Sequence, residues 1–500
     1  MKELKMQRYD SDNKLTGDAA EMEKRMQEQY QLYRGVDDDY CHAGDGAVED
    51  WLDMKYGIRI HWGLYAIPGC FPESWGLTHP ISHNPVVREQ YETMSKWWNP
   101  TGFDADEWMR LFSDGGMKFF TFTTKHHDGF SLFDTKTKVR KRLVHTGPDA
   151  GKIVDCDLHY SITEGPFGRD ICAELATAAR AAGLKIGFYF SHIDWFDSDF
   201  RCDRWNYQYD KDYTRKDNPE AFARMIARHR QQLLEICGNY GKIDLLSLDM
   251  GFPGTTPELE EKLKDIIHNV PEAQGFTNGL RDDLIATVKM LRKLQPEMMI
   301  RRRGIDPYGD YFTPERAIPE DDRDQKMMPW KVIYPGGKHF SFQWDDVYKP
   351  ASWIIENLID IVAKGGNMQI GYGPGPDGRW STETASRILE VGDWLKTYGE
   401  GIYATRPYQP YKEGEYIRFT RTKDRSTVYA FVINWLSGIR VLELKSVRAA
   451  AGSAITVPGL DHSFKYTQDA DSLKIEIPAW FDPSKDHPES GAFAFKIIVK

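Results

Sequence analysis

Five hundred residues are too many for one small domain and suit a large barrel joined to a smaller unit. A formal charge of −10 argues against nucleic acid as a partner, and the run Arg301-Arg302-Arg303 is too short and isolated to supply a basic face. No stretch is long and apolar enough to span a membrane, and six scattered cysteines without CxxC spacing make neither a zinc site nor a small disulfide scaffold.

The hydrophobic share of 41% and aromatic share of 13% provide for a sizeable core. Fifteen tryptophans also hint at a sugar-facing surface, although most are expected to serve packing. The opening MKELKMQRYD has no signal-peptide core, and the compartment stays open.

Residues 1–50 are polar, with a helical stretch near 18–34 and an acidic Asp37-Asp38-Asp39, and read as an N-terminal helical extension on the main domain. From 51 to 398 strand-like and helical patterns alternate. The strands are expected at Ile58–Trp62, Phe119–Thr124, Lys185–Ser191, Asp244–Asp249, Met298–Arg302 and Met368–Tyr372. Asp104 with Glu107 resembles a capping box opening a helix to Ser113. Asp170–Ala182 is alanine-rich and stops at Gly183. Asn218-Pro219 starts a helix to about Tyr240, and Pro350–Lys364 and Thr382–Tyr398 close the series. Such alternation implies an α/β fold, a (β/α)8-like (TIM-type) barrel. An open doubly wound sheet competes, but no GxGxxG or P-loop follows an early strand.

Over 399–500 the pattern changes to period two. Thr427–Trp435, Arg440–Leu444, Leu473–Ile477 and Ala492–Val499 read as strands of a C-terminal antiparallel β-sandwich.

Strand ends carry the chemistry. The run at 243–248, apolar apart from Asp244 and Ser247, leads to Asp249 before Met250-Gly251. A charge there sits where a barrel opens to solvent, although an Asp before a turn can also be a simple cap. Other strands end in His61-Trp62-Gly63, Lys125-His126-His127-Asp128-Gly129, Tyr189 with His192 and Asp194-Trp195, and Arg302-Arg303-Gly304. Gly309–Glu315 follows. On one rim these residues make a pocket of imidazole, phenol, guanidinium and indole groups with two acids, a lining suited to hydroxyl-rich ligands. Two carboxylates flanking a glycosidic bond are the usual machinery of its hydrolysis. Adjacent His126 and His127 do not read as zinc ligands, because neighbours on a strand point to opposite faces and no HExxH is present. The aromatic loop 194–219 reads equally as an aglycone contact or as packing over the barrel.

The segments KYGIRIHWGLYAIPG, FDADEWMRLFSDGGMKFFTFTTKHHDGF, GFYFSHIDW, SLDMGFP, GDYFTPE, KGGNMQIGYGPGPDG and GEGIYATRP resemble, in order from about 55 to 407, the α-L-fucosidases of glycoside hydrolase family twenty-nine. The resemblance implies a retaining exo-hydrolase acting on fucosylated glycans without a metal or other cofactor. It places the nucleophile on Asp249 and the general acid/base on Glu315. It places fucose contacts on His61, His126, His127, Tyr189 and Arg302, with Phe342 as the aromatic near the sugar methyl. Glu73 and Trp75 are carried over with an extra residue between them, since the family's Glu-Trp pair is here Glu73-Ser74-Trp75. The aromatic that often stands two residues before the nucleophile is here Ser247, expected to enlarge the pocket and add a hydroxyl. That substitution motivates an alternative substrate, an α-L-galactoside, which carries the C6 hydroxyl that fucose lacks. A carbohydrate-binding protein with a decayed site is the alternative of another class. Double displacement requires Asp249 ionised and Glu315 protonated, so Glu315 is expected in an apolar or anion-facing setting.

Overall fold

A computed structural model of the chain describes residues 38–78, 84–203, 205–206, 208–210, 212–250, 280–305, 308–319, 328–433, 435, 438–483 and 491–499. The helix expected at 18–34 lies outside the described residues.

The main domain is a curled parallel sheet ordered β7-β6-β5-β2-β1-β9-β8. Its strands are β1 (Tyr56–Ile60), β2 (Phe119–Lys125), β5 (Lys185–Ser191), β6 (Leu245–Asp249), β7 (Met299–Ile300), β8 (Lys331–Pro335) and β9 (Asn367–Tyr372), with a small hairpin of β3 (Lys141–Leu143) and β4 (Ile153–Asp155) after β2. β1, β2, β8 and β9 are buried at every position, as strands covered on both faces require. The sheet's two edges approach through residues 311–315. Tyr311 bridges Arg301 beyond β7, while Phe312 and Glu315 bridge Trp330 and Ile333 on the β8 side, all in parallel sense. This segment takes the place of an eighth strand and closes the barrel.

Helices α1 (Asp45–Met54), α2 (Pro85–Thr93), α3 (Ala105–Asp114), α4 (Ile171–Ala182), α5 (Pro219–Gly238), α6 (Leu280–Leu294), α7 (Ala351–Ala363) and α8 (Thr382–Tyr398) accompany the sheet. The sequence signals act as anticipated at several ends. Asp104 accepts from Glu107 N, Asp170 accepts from Ala173 N, and Gly183 ends α4 at φ +71°. α1 crosses the expected boundary at 50/51, and its Trp51 is fully buried against the rings of Phe119 and Tyr311, at 6.4 and 4.2 Å. The helix is thereby fixed to the barrel.

Beyond α8 lie two antiparallel sheets. The larger has the order β10-β11-β12-β18-β14-β15 and the smaller β13-β17-β16. Their strands are β10 (Arg406–Glu413), β11 (Ile417–Arg421), β12 (Thr427–Val432), β13 (Val441–Leu444), β14 (Ile455–Thr456), β15 (Ser463–Phe464), β16 (Tyr466–Gln468), β17 (Leu473–Glu476) and β18 (Phe493–Ile498). Residues from the barrel, α7, α8 and these sheets belong to one continuous apolar core.

Candidate active site

β6 delivers Asp249 at its last position, and its neighbours fix that carboxylate. β5 pairs with β6 so that Tyr189 faces Ser247 and Ser191 faces Asp249. The Tyr189 hydroxyl donates to Asp249 Oδ2 at 2.6 Å. Burial and the adjacent Asp249 charge hold the Tyr189 phenol well above its ordinary value, so it remains a donor. Met250, next in sequence, has φ +59°, a left-handed conformation a non-glycine residue adopts only under local constraint.

Glu315 stands on the closing segment, and two arginines join it to Asp249. Arg303 Nη1 lies 2.6 Å from Asp249 Oδ1 and 2.9 Å from Glu315 Oε1, so those oxygens are at most about 5.5 Å apart, the separation retaining glycosidases use. Arg301 lies 2.8 Å from Glu315 and 3.5 Å from Asp249. Burial works to raise the Asp249 carboxyl, but Arg303, Arg301 and His127 outweigh it and hold the group well below the usual carboxylate range. Glu315 is pulled the same way. Burial and Asp249 raise its carboxyl, yet Arg303 and Arg301 bring it below the ordinary value. Its side chain is 37% exposed, so water screens much of that effect. The apolar or anion-facing setting expected for Glu315 is not what surrounds it: the carboxylate sits in an arginine clamp.

Arg302 points elsewhere, with Nη1 3.9 Å from Met328 Sδ. β7 ends at Ile300 and residues 303–305 form a turn, and this local path brings the Arg301 and Arg303 side chains to the same two acids. The guanidinium groups beside the acids are thus those of Arg301 and Arg303.

The three histidines meet over this pair. His61 and His126 have ring centroids 5.7 Å apart, and His126 and His127 are only 4.0 Å apart. The alternation expected for adjacent histidines does not apply, since β2 ends at Lys125 and both follow it. Burial, with His127 and His61 adding to it for His126 and Arg59 for His61, keeps both rings neutral. Burial pushes His127 down to about 4 despite the Asp249 charge nearby. His61 Nδ1 and His127 Nε2 are buried with no hydrogen-bond partner among the described residues. An unpaired buried polar atom is costly, and a hydroxyl-bearing ligand would relieve both. Among the described residues no group of three or more His, Cys, Asp and Glu is placed to hold a metal ion.

The first loop completes the wall. The Ser74 that separates Glu73 from Trp75 has its Oγ 2.5 Å from His126 Nδ1. Glu73 is buried at φ +50°, and its Oε1 accepts from Phe340 N at 2.8 Å and Ser341 N at 2.9 Å. Burial raises its carboxyl to about 7, against those hydrogen bonds. Trp75 packs edge-on to His127 at 4.8 Å and to Trp195 at 5.5 Å. Phe340 stacks on His61 at 5.2 Å, whereas Phe342 packs against Trp344 at 4.8 Å. Phe340, Ser74 and Arg301 are site groups the sequence reading passed over, while Arg303 was placed on the rim without a role.

The aromatic residues of the 194–219 loop divide by burial. Trp195, Phe196, Phe200 and Tyr213 are buried, whereas Trp205 and Tyr209 are 44% and 47% exposed. Ser247 adds no hydroxyl to the pocket, because its buried Oγ accepts from Arg59 Nη1 at 2.9 Å and Arg59 occupies the adjoining space.

Residues 25–400 match the family model for alpha-L-fucosidase, and residues 411–498 match that for the alpha-L-fucosidase C-terminal domain. The tissue alpha-L-fucosidase of Homo sapiens is 26% identical over 451 residues, covering 86% of this chain and 84% of that protein. Alpha-L-fucosidase isoenzyme 1 from Paenibacillus thiaminolyticus superposes with a TM-score of 0.69 at 27% identity, over 90% of this chain and 98% of that one. A family twenty-nine alpha-L-fucosidase from Bacteroides thetaiotaomicron shares the fold, with a TM-score of 0.72 at 22% identity over 92% and 96% of the two chains. With a family match across most of its length, this chain belongs to the alpha-L-fucosidase family.

Proposed function

We propose that the chain is a retaining exo-glycosidase that releases α-linked L-fucose from fucosylated glycans, with Asp249 as nucleophile and Glu315 as acid/base. The observation that carries this reading is the spacing of the two carboxylates across Arg303. Asp249, kept ionised by Arg303 and Arg301, attacks the anomeric carbon while Glu315 protonates the leaving oxygen. Water then resolves the glycosyl-enzyme with Glu315 as base, and configuration is retained. His61, His126 and His127 offer neutral imidazole nitrogens to the sugar hydroxyls, Glu73 and Trp75 complete that wall, and Phe340 with Phe342 supplies an apolar side for the methyl group. Arg302 has no part in this reading, its role passing to Arg301 and Arg303.

The burial of Ser247 beneath Arg59 removes the feature that favoured an α-L-galactoside, and nothing else in the pocket favours that substrate. The test is hydrolysis of an aryl α-L-fucoside. Asp249→Ala is expected to lower kcat by about 10⁴ or more, with azide restoring part of the turnover as the inverted fucosyl azide. Wild-type turnover in that variant removes Asp249 from the mechanism. Glu315→Gln is expected to lose far more rate on poor leaving groups than on activated aryl ones. Equal losses on both would assign the acid elsewhere.

A further inference from the structure

A buried cation contacts the strand residues that flank the nucleophile. Arg59 is the fourth residue of β1, a strand otherwise built from Tyr, Gly and Ile, and only 3% of it is exposed. Among the described residues it makes no ion pair, and its Nε has no partner. A buried guanidinium with no carboxylate within ion-pair distance is a poor stability device, because the more distant charges of Asp249 and Glu315 do not offset its burial. Its contacts indicate a different use. Nη1 donates to Ser247 Oγ at 2.9 Å, and the guanidinium carbon lies 4.2 Å over the Tyr189 ring. Those two residues face each other across β5 and β6. Tyr189 donates to Asp249, and Ser247 shares the face of β6 that carries Asp249, two positions earlier.

We propose that Arg59 is a positioning residue for the nucleophile: it clamps Tyr189 and Ser247 together so that the Tyr189 hydroxyl stays on Asp249 Oδ2, and it sets a fixed positive charge under that carboxylate. The proposal rests on the reading of Asp249 as nucleophile. One cation contacts both the phenol that bonds the carboxylate and the hydroxyl two positions before it on the same strand. The groups that face Asp249 from the remaining elements are Arg301 and Arg303 past β7, Glu315 on the closing segment, and the neutral rings of His61, His126, His127 and His192. The Asp249 and Glu315 charges act on Arg59 to favour its charged form, so the coupling runs in both directions, although burial pulls the guanidinium down overall.

The experiment compares pH profiles of kcat/KM on an aryl α-L-fucoside for the wild type, Arg59→Met, Arg59→Lys and Ser247→Ala, with Asp249→Ala in parallel. Arg59→Met is expected to lower kcat/KM about tenfold or more. Its acid limb is expected to move up by about one pH unit, since Asp249 must be ionised to attack and loses a cation that favours ionisation. Arg59→Lys keeps the charge and should return the limb to its wild-type position while restoring only part of the rate. Ser247→Ala, which removes the acceptor of Arg59 but no charge, should lower kcat/KM about threefold with the limb unmoved.

An Arg59→Met enzyme within about twofold of wild type, or one whose rate falls while its acid limb stays in place, overturns the proposal. Should Arg59→Met fail to fold, wild-type kcat/KM in both Arg59→Lys and Ser247→Ala overturns it instead. The Asp249→Ala arm separates the two levels. Turnover surviving there defeats the nucleophile assignment itself, whereas a dead Asp249→Ala beside an unaffected Arg59→Met defeats only the role of Arg59.

Discussion

Arg303 Nη1 is shared between the two acids, and that contact sets the pH behaviour of the free enzyme. Glu315 must carry a proton to act as acid, so activity falls as pH rises through its pKa. In the open cleft the arginines lower that pKa, which places the basic limb of kcat/KM low. A bound sugar between the carboxylates weakens the contact and lets Glu315 hold its proton to higher pH. The expected result is a basic limb of kcat above that of kcat/KM. Replacing Arg303 by Met removes a cation from both acids and should shift the whole kcat/KM bell upward. Coincident basic limbs in the wild type would show that the clamp persists in the complex. Glu73 gives a second test, on stability. Its carboxyl rises from 4.5 to about 7 on folding, chiefly through burial, so the folded state holds the proton more tightly than the unfolded one. This contribution is fully present below about 4.5 and is lost as pH climbs to about 7. Glu73→Gln, which has no proton to lose, should therefore gain stability relative to wild type across that window in denaturant titrations. A pH-independent difference would contradict the burial argument. At this scale the sequence pointed to both acids, the three histidines and Tyr189 as candidates: Asp249 ends β6 and the histidines directly follow β1 and β2, whereas Tyr189 lies inside β5 and Glu315 on the closing segment. The resemblance pointed to Arg302, whereas the guanidinium groups within reach of the two acids are those of Arg301 and Arg303, because the chain turns past Ile300.

Between residues and whole fold, the legible elements were those with local signals. α4 could be read from its alanine-rich face, Asp170 before it and Gly183 after it; β5 and β6 could be read from apolar runs. β8 was missed because KVIYP is closed by Pro335, which reads as a strand breaker, and α6 because its apolar face is interrupted by charged residues. The closing segment 311–315 was read as a loop, and it does lack a local strand pattern: it pairs through single bridges to distant residues. Two caps of the same residue type provide a test of how context sets their worth. Asp104 is exposed and bonds Glu107 N, so Asp104→Ala should cost about 1 kcal/mol. Asp170 is half-buried and also accepts from Asp134 N at 3.0 Å and from the Tyr240 hydroxyl at 2.8 Å. Its removal strands two further donors, and Asp170→Ala should cost about 3 kcal/mol. Equal losses in denaturant unfolding would mean that those two bonds contribute nothing net.

For the molecule as a whole, the period-two strands after residue 400 were plain in the sequence, but their attachment to the barrel was not, because docking depends on partners hundreds of positions away. Trp394 on α8 is fully buried, donates Nε1 to Ala492 O at 2.8 Å and lies 6.1 Å from the Phe431 ring. Thr420 on β11 donates to Gly401 O at 2.7 Å, and Arg406 at the start of β10 reaches back to Asp53 on α1 at 2.8 Å. Arg418 pairs with Asp360 on α7. An apolar core continuous across this boundary leaves neither part a separate hydrophobic interior to melt into. The chain should therefore unfold in one transition, with fucosidase activity lost along the same curve as far-UV signal. Trp394→Ala should lower stability by about 3–5 kcal/mol, as deletion of a buried indole does, and should move both signals together. The discriminating result is their separation. If the C-terminal strands melted first in the variant while the barrel kept its activity, the shared core would be a contact between independent domains, and the cooperativity inferred from Trp394 would not exist.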